Sequence, residues 1–165
     1  MKTLAIALTA ALLATPVYAE TTEKQLAAIK WGDPLHTFSK EEHEVDKAFA
    51  DWRTALSSGK AENIVKLYDK DAILLATLAA EPITTQQGRT EYFTGLTAKP
   101  KLKATVNEEY VRLLDPNTAL VSGVYTFSFM EEGKTVEVPA RYTFVFEKES
   151  GKWMIVEHHS SKVPN

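Results

Sequence analysis

The sequence predicts an α+β domain, and three observations carry that reading. Helical periodicity is confined to the first part of the chain, up to about residue 98. From residue 103 onward the composition is that of strands, rich in β-branched and aromatic residues. The turn signals "DPNT", "EEGK" and "ESGK" then divide this second part into segments that suit an antiparallel meander.

The elements follow in order. Lys2 is the only charge in the first 19 residues, the apolar run "LAIALTAALLA" comes next, and Val17 and Ala19 precede Glu20 in an A-x-A-like pattern. This is the layout of a signal peptide cut after Ala19, so the protein is expected to be exported, periplasmic or secreted. The run is too short to span a membrane, and Pro16 and Tyr18 interrupt it. No cysteine follows it, which excludes a lipoprotein anchor. Residues 20–40 read as a lead-in arm. In it "EKQLAAIK" suits a short helix, Gly32 and Pro34 break it, and Trp31 packs on the body.

The domain proper is expected over 41–165. "SKEEHEVDKAFADWRTALSSG" is a helix with Ser39 as N-cap and Glu42 completing a capping box. Val45, Phe49, Trp52 and Leu56 recur at helical spacing on one face, and Gly59 ends the element. "KAENIVKLYDKD" gives a second, short helix, and "AILLAT" (72–77) a short buried strand. A third helix runs from about Thr85 to Ala98 and stops before Pro100. Strands are expected at 103–114, 118–130, 135–148 and 152–161.

Composition narrows the function classes. With Lys2 set aside from the 19 basic residues, 18 face 22 acidic ones, a net charge of −4 without a basic patch. Nucleic acid and membrane surfaces are therefore not expected partners. The absence of cysteine removes thiol catalysis, iron–sulfur clusters and cysteine-based zinc sites.

Strand parity sorts the remaining residues into two faces. If each turn signal is a two-residue loop, Tyr125, Tyr142, Glu157, His159 and Ser161 share an aromatic inner face with Trp52 of the long helix. Glu108, Tyr110 and Arg112 join them from the preceding strand. These nine residues are the expected ligand pocket, with Arg112 as the contact for a small polar or carboxylate ligand. Val124, Arg141, Thr143, Val145, Val156 and His158 fall on the outer face and are the expected dimer interface. His158 and His159 point to opposite faces, and His36 and His43 are remote in sequence, so no metal site is expected, and no cofactor. A one-residue bulge would exchange part of these two sets.

The segments "DWRTALSSGKAENIVKLYDKDAILLAT", "EPITTQQGRTEYFTGLTAKP" and "GVYTFSF", with the ending "ARYTFVFEKESGKWMIVEHHSSKVP", resemble the nuclear-transport-factor-2-like (SnoaL-like) superfamily. Within it the chain is similar to bacterial relatives of the association domain of calcium/calmodulin-dependent protein kinase II. The resemblance implies a cone-shaped barrel, a curved sheet wrapped on the first long helix, with a cavity at the wide end and dimers formed through the outer sheet face. His159 and Ser161 match the family's H-x-S near the C-terminus, whereas Glu157 stands where that pattern often has a second histidine. The matched segments belong to the association domain alone, so kinase activity and calmodulin binding are not implied. Two functions follow as expectations. One is an exported homodimer that binds a small molecule or serves assembly. The other is a SnoaL-like enzyme, an isomerase, cyclase, dehydratase or oxidoreductase type. It would use His159 as general acid or base, Glu108 or Glu157 to orient it, and Tyr110 or Tyr142 to polarise a carbonyl.

Overall fold

The computed structural model describes residues 29–164. The expected signal peptide and residues 20–28 of the arm lie outside the described residues. Three helices, α1 (Lys40–Ser57), α2 (Ala61–Val65) and α3 (Gln86–Thr97), accompany six strands. The strands are β1 (Ile29–Lys30), β2 (Tyr68–Leu75), β3 (Lys103–Asp115), β4 (Thr118–Glu131), β5 (Lys134–Glu149) and β6 (Lys152–Lys162). They form one curved, unclosed sheet in the order β1-β3-β4-β5-β6-β2. All pairings are antiparallel except β2 with β6.

The capping box that the sequence predicts starts α1. Ser39 Oγ accepts from the Glu42 amide at 3.1 Å, and Glu42 Oε2 accepts from the Ser39 amide at 2.6 Å. Val45, Phe49, Trp52 and Leu56 are wholly buried along one stripe. Phe49 stacks on Tyr142 with ring centroids 4.9 Å apart, and Trp52 meets Phe144 edge-on at 5.0 Å. Each such side chain removed from water contributes about 2 kcal/mol. This stripe is the axle on which the sheet curls. The short helix ends at Val65, and Tyr68–Lys70, expected within it, opens β2 instead. Arg89 of α3 accounts for this. It is completely buried and donates to the carbonyls of Asp69 (2.9 Å), Lys70 (2.8 Å) and Ala72. These carbonyls lie where β2 breaks register against β6. In the arm, Ile29 and Lys30 pair with β3, and Trp31 packs on Phe38 at 4.2 Å and on His43 at 5.4 Å.

All three turn signals close as two-residue loops: Asp115 pairs Thr118, Glu131 pairs Lys134, and Glu149 pairs Lys152. Glu132, Gly133, Ser150 and Gly151 adopt positive φ, the conformation that matches strand twist in such hairpins. The register between β4 and β5 is as the parity argument has it, Gly123 opposite Tyr142 and Val124 opposite Arg141. Two bulges overturn the rest. In β6, Phe146 pairs Ile155 but Val145 pairs Glu157, so Val156 is an extra residue. In β3, Leu113 pairs Ala119 but Asp115 pairs Thr118, so Leu114 is extra. Past each bulge the faces exchange. His158 and Ser160 turn inward and are buried, whereas Glu157, His159 and Ser161 turn outward. Glu109 and Val111 turn inward, whereas Glu108, Tyr110 and Arg112 turn outward. Six of the nine expected pocket residues therefore sit on the outer face, and the expected interface residue His158 sits in the core.

A third irregularity, at Asn107, brings β3 against Gly123, where an added Cβ would lie 1.9 Å from the Glu108 carbonyl oxygen. No side chain fits there without moving backbone. Gly123→Ala is expected to lower the urea midpoint by the equivalent of about 2–3 kcal/mol. An unchanged midpoint would show that the β3–β4 pair adjusts freely.

Candidate functional site

The inner face brings together polar groups that the sequence disperses. Trp52 Nε1 donates to the Tyr68 hydroxyl at 3.0 Å, and Tyr68 in turn donates to His158 Nδ1 at 2.8 Å. His158 lies flat on Phe144, with centroids 3.8 Å apart, and meets Trp52 edge-on. Burial, with a smaller contribution from neighbouring His159, holds the His158 pKa down to about 3. The imidazole is therefore neutral, its Nδ1 accepts from Tyr68, and the proton rests on Nε2, which is buried without a partner. Burial also raises the Tyr68, Tyr125 and Tyr142 hydroxyls far above their ordinary range.

A second group sits between α1 and β3. Glu109 is 5% exposed, and its Oε1 is without a hydrogen-bond partner. Its carboxyl faces Asp46 and Arg53 of α1. Burial first, and the Asp46 charge second, push Glu109 up to about 7; Arg53 opposes the shift. Burial also raises Asp46. Arg53 lies over the Phe49 ring at 5.2 Å. The signal for Glu109 was present in the sequence: Val111 and Leu113 alternate with Arg112, which favours the odd-numbered face as the buried one.

Of the nine expected pocket residues, Trp52, Tyr125 and Tyr142 do lie inward, but they are packed core, with exposures of 0%, 0% and 3%. The cavity lies further along the sheet, beneath α3. It encloses about 120 Å³ and is walled by Tyr92 and Leu96 of α3, Leu102, and Phe127, Phe129 and Val138 of β4 and β5. Thr77, Tyr92 and Lys99 are the lining residues with polar side-chain atoms. Strand parity does put Phe127, Phe129 and Val138 on the inner face, but the expected pocket lay elsewhere along it, because parity does not reach α3 and the loop beyond, which supply Tyr92, Leu96 and Leu102.

The outer face carries the remaining expected residues as cross-strand rows. One row is Arg112, Leu120, Val145 and Glu157; the next is Tyr110, Ser122, Thr143 and His159. Arg141 and Ser161 pair beside them, and with Thr143 and His159 they rim a shallow concavity. Glu108 accepts from Tyr110 at 2.7 Å and from Lys30 at 3.2 Å, which lowers its pKa. The structure thus places Glu108, Tyr110, Arg112, Glu157, His159 and Ser161 together with Val124, Arg141, Thr143 and Val145, on one surface. Val156 is the bulged residue beside it.

The model of the calcium/calmodulin dependent protein kinase II association domain family matches residues 41–164, and the chain belongs to that family. A structure described as such an association domain, from Xanthomonas campestris, is 39% identical with a TM-score of 0.72; the match covers 80% of this chain and 92% of that one. A CamKII hub homology domain from Chlamydomonas reinhardtii is 28% identical with a TM-score of 0.65, covering 74% and 98%. An NTF2-like protein with a cystatin-like fold from Novosphingobium aromaticivorans has 13% identity, a TM-score of 0.66, and coverage of 76% and 84%. At that identity the likeness concerns the fold alone, which is the NTF2-like, cystatin-like one. No curated protein matches the chain.

Two buried groups give stability opposite pH slopes. Glu109, raised from 4.5 to about 7, keeps a proton in the folded state that the unfolded chain has released. Its contribution is therefore lost as pH rises from 4.5 through 7. His158, lowered from 6.5 to about 3, stays neutral where the unfolded chain is protonated, so stability is lost as pH falls from 6.5 toward 3. Glu109→Gln is expected to be more stable than the parent at pH 8, by roughly 2–3 kcal/mol, with the difference shrinking toward pH 5. Urea unfolding across pH 4–8 measures it, and a pH-independent difference would show that Glu109 holds no extra proton.

Proposed function

From membership of that family we propose that this chain is an exported assembly domain, a homodimer closed through the outer face of its sheet, with a small-molecule cavity beneath α3. The observation that carries the assembly reading is the bare outer face. Among the described residues all three helices pack on the inner side, and nothing covers the opposite surface of β3–β6. That surface presents Leu120, Val124 and Val145 between Ser122 and Thr143, the mixture expected of a two-fold interface. Arg112 adds a chemical reason, because its Nε is buried on this side without an acceptor. A two-fold axis along the strands sets β3 of one copy over β6 of the other, and so Arg112 over Glu157 of the second copy. The Chlamydomonas relative is named a hub, which agrees with this reading.

The cavity supports the ligand-binding part of the proposal. It is apolar and partly enclosed. Acid–base catalysis draws less support. His159 lies on the outer face, the surface proposed for the dimer contact, and does not line the cavity beneath α3. His158 is enclosed, but it stays neutral through the physiological range and its acceptor nitrogen is spent on Tyr68.

Light scattering on residues 20–165 is expected to give twice the monomer mass. Val145→Glu is expected to give a monomer with an unchanged circular dichroism spectrum, because it places two unpaired charges in the contact. A monomeric parent protein would overturn the assembly reading. Export predicts that N-terminal sequencing of protein recovered from the producing cells' periplasm or medium begins at Glu20. Retention of Met1 would overturn it.

A further inference from the structure

Apolar walls do not explain the polar floor of the cavity beneath α3. Thr77 lines the cavity and donates to Ser160 Oγ at 2.7 Å, while the Tyr125 hydroxyl donates to the same oxygen at 2.7 Å. Tyr125 and Ser160 are buried, at 0% and 6% exposure. Three hydroxyls joined by two bonds hold one proton more than they have bonds, and no further acceptor meets them among the described residues. A buried donor left unspent is costly. Of the three, only Thr77 reaches the cavity. Turning the Ser160 hydroxyl toward Thr77 passes the spare proton along the chain, and Thr77 then offers it to whatever occupies the space.

Two other polar groups line the cavity, Tyr92 and Lys99. The Tyr92 hydroxyl faces the Leu78 backbone amide, which lowers its pKa against the larger, raising effect of burial. The Lys99 ammonium lies over the Phe129 ring at 4.1 Å and 4.0 Å from the Glu131 carboxylate. The cavity is therefore lined by two hydroxyls, those of Thr77 and Tyr92, and by one ammonium paired with a carboxylate, and Thr77 is the hydroxyl backed by a surplus proton. Its volume, about 120 Å³, compares with the apolar cavity of about 150 Å³ in another protein that takes up benzene. Leu78, 69% exposed on the rim, makes the approach apolar as well.

We propose that this cavity binds an uncharged, ring-sized apolar compound carrying one accepting oxygen, of the ketone or aldehyde class, with the Thr77 hydroxyl bonded to that oxygen. The proposal rests on the cavity reading given above and assigns its ligand chemistry. It departs from the expected polar or carboxylate ligand because the expected anion contact, Arg112, lies on the other face of the sheet.

The test compares three probes of one ring each, acetophenone, toluene and benzoate, by chemical-shift titration of the 20–165 protein. Two variants accompany them. Thr77→Val keeps the shape of the side chain and removes its hydroxyl, and Leu96→Trp fills the cavity. Acetophenone is expected to bind most tightly, with shifts at Thr77, Leu102 and Phe127. Thr77→Val is expected to weaken it about three- to tenfold and leave toluene unchanged. Leu96→Trp is expected to abolish both. Tightest binding by benzoate would overturn the assigned class while leaving the cavity reading intact, as would acetophenone binding that ignores Thr77→Val. If no probe shifts the cavity residues and Leu96→Trp behaves as the parent, the cavity reading itself fails.

Discussion

The hydrogen-bond chain from Trp52 through Tyr68 to His158 ties together three parts of the protein that share no sequence proximity. Trp52 belongs to the central helix, Tyr68 opens the edge strand, and His158 lies in the last strand. Each link requires the others to be in register. His158 reaches Tyr68 only because Val156 bulges out of β6, and Tyr68 meets it only because Arg89 holds the irregular start of β2 through three carbonyls. Without the bulge, Glu157 and His159 would point into an aromatic core with no partners. A charged carboxylate there would cost several kcal/mol. The bulge therefore decides which face of the final strand is chemistry-bearing and which is surface.

That decision divides the sheet into two faces of different character. The inner face spends its aromatic residues on the stripe of α1 and leaves only a small cavity beneath α3. The outer face receives the charged and hydroxyl residues of β3 and β6, arranged in rows around Leu120, Val124 and Val145. Residues that seem at first to form one enclosed site are thereby spread over an open, nearly flat surface. Flat, mixed and uncovered is the character of a protein contact rather than of a small-molecule pocket. The same strand order that exposes this surface closes the other side with helices, so the assembly and ligand binding proposed above would draw on different residues.

Much of this architecture was legible in the sequence. The capping box at Ser39 and Glu42, the buried stripe Val45–Phe49–Trp52–Leu56, the limits of α3 and all three two-residue loops follow from local rules, because local hydrogen bonds and backbone preferences enforce them. The β4–β5 register follows from its loop alone. The facing of β3 and β6 did not, because a bulge is one residue whose position depends on what lies across the sheet. In β3 the alternation of Val111 and Leu113 with Arg112 carried the correct answer, and an argument from the loop overrode it. In β6, Ile155 and Val156 are both apolar, and nothing local tells which of them leaves the ladder. Arg89 gave no signal either, since its partners are backbone carbonyls, which every residue possesses.

Charge state gives the interior its character. His158 is neutral, the buried tyrosines keep their protons well beyond neutral pH, and Glu109 holds its proton up to about pH 7. Arg89, the fully buried cation, is matched to carbonyl dipoles rather than to a carboxylate. In each case burial outweighs the neighbouring charges. A catalytic centre needs a group whose pKa lies close to the working pH and within reach of a substrate. His158 and the tyrosines are far from that range. Glu109 is near it, but it is shut between α1 and β3, on the opposite side of Tyr125 and Tyr142 from Thr77. The cavity instead meets a quiet interior through a single string of hydroxyls. Such an environment agrees with the proposed recognition of a neutral molecule by shape and hydroxyl hydrogen bonding.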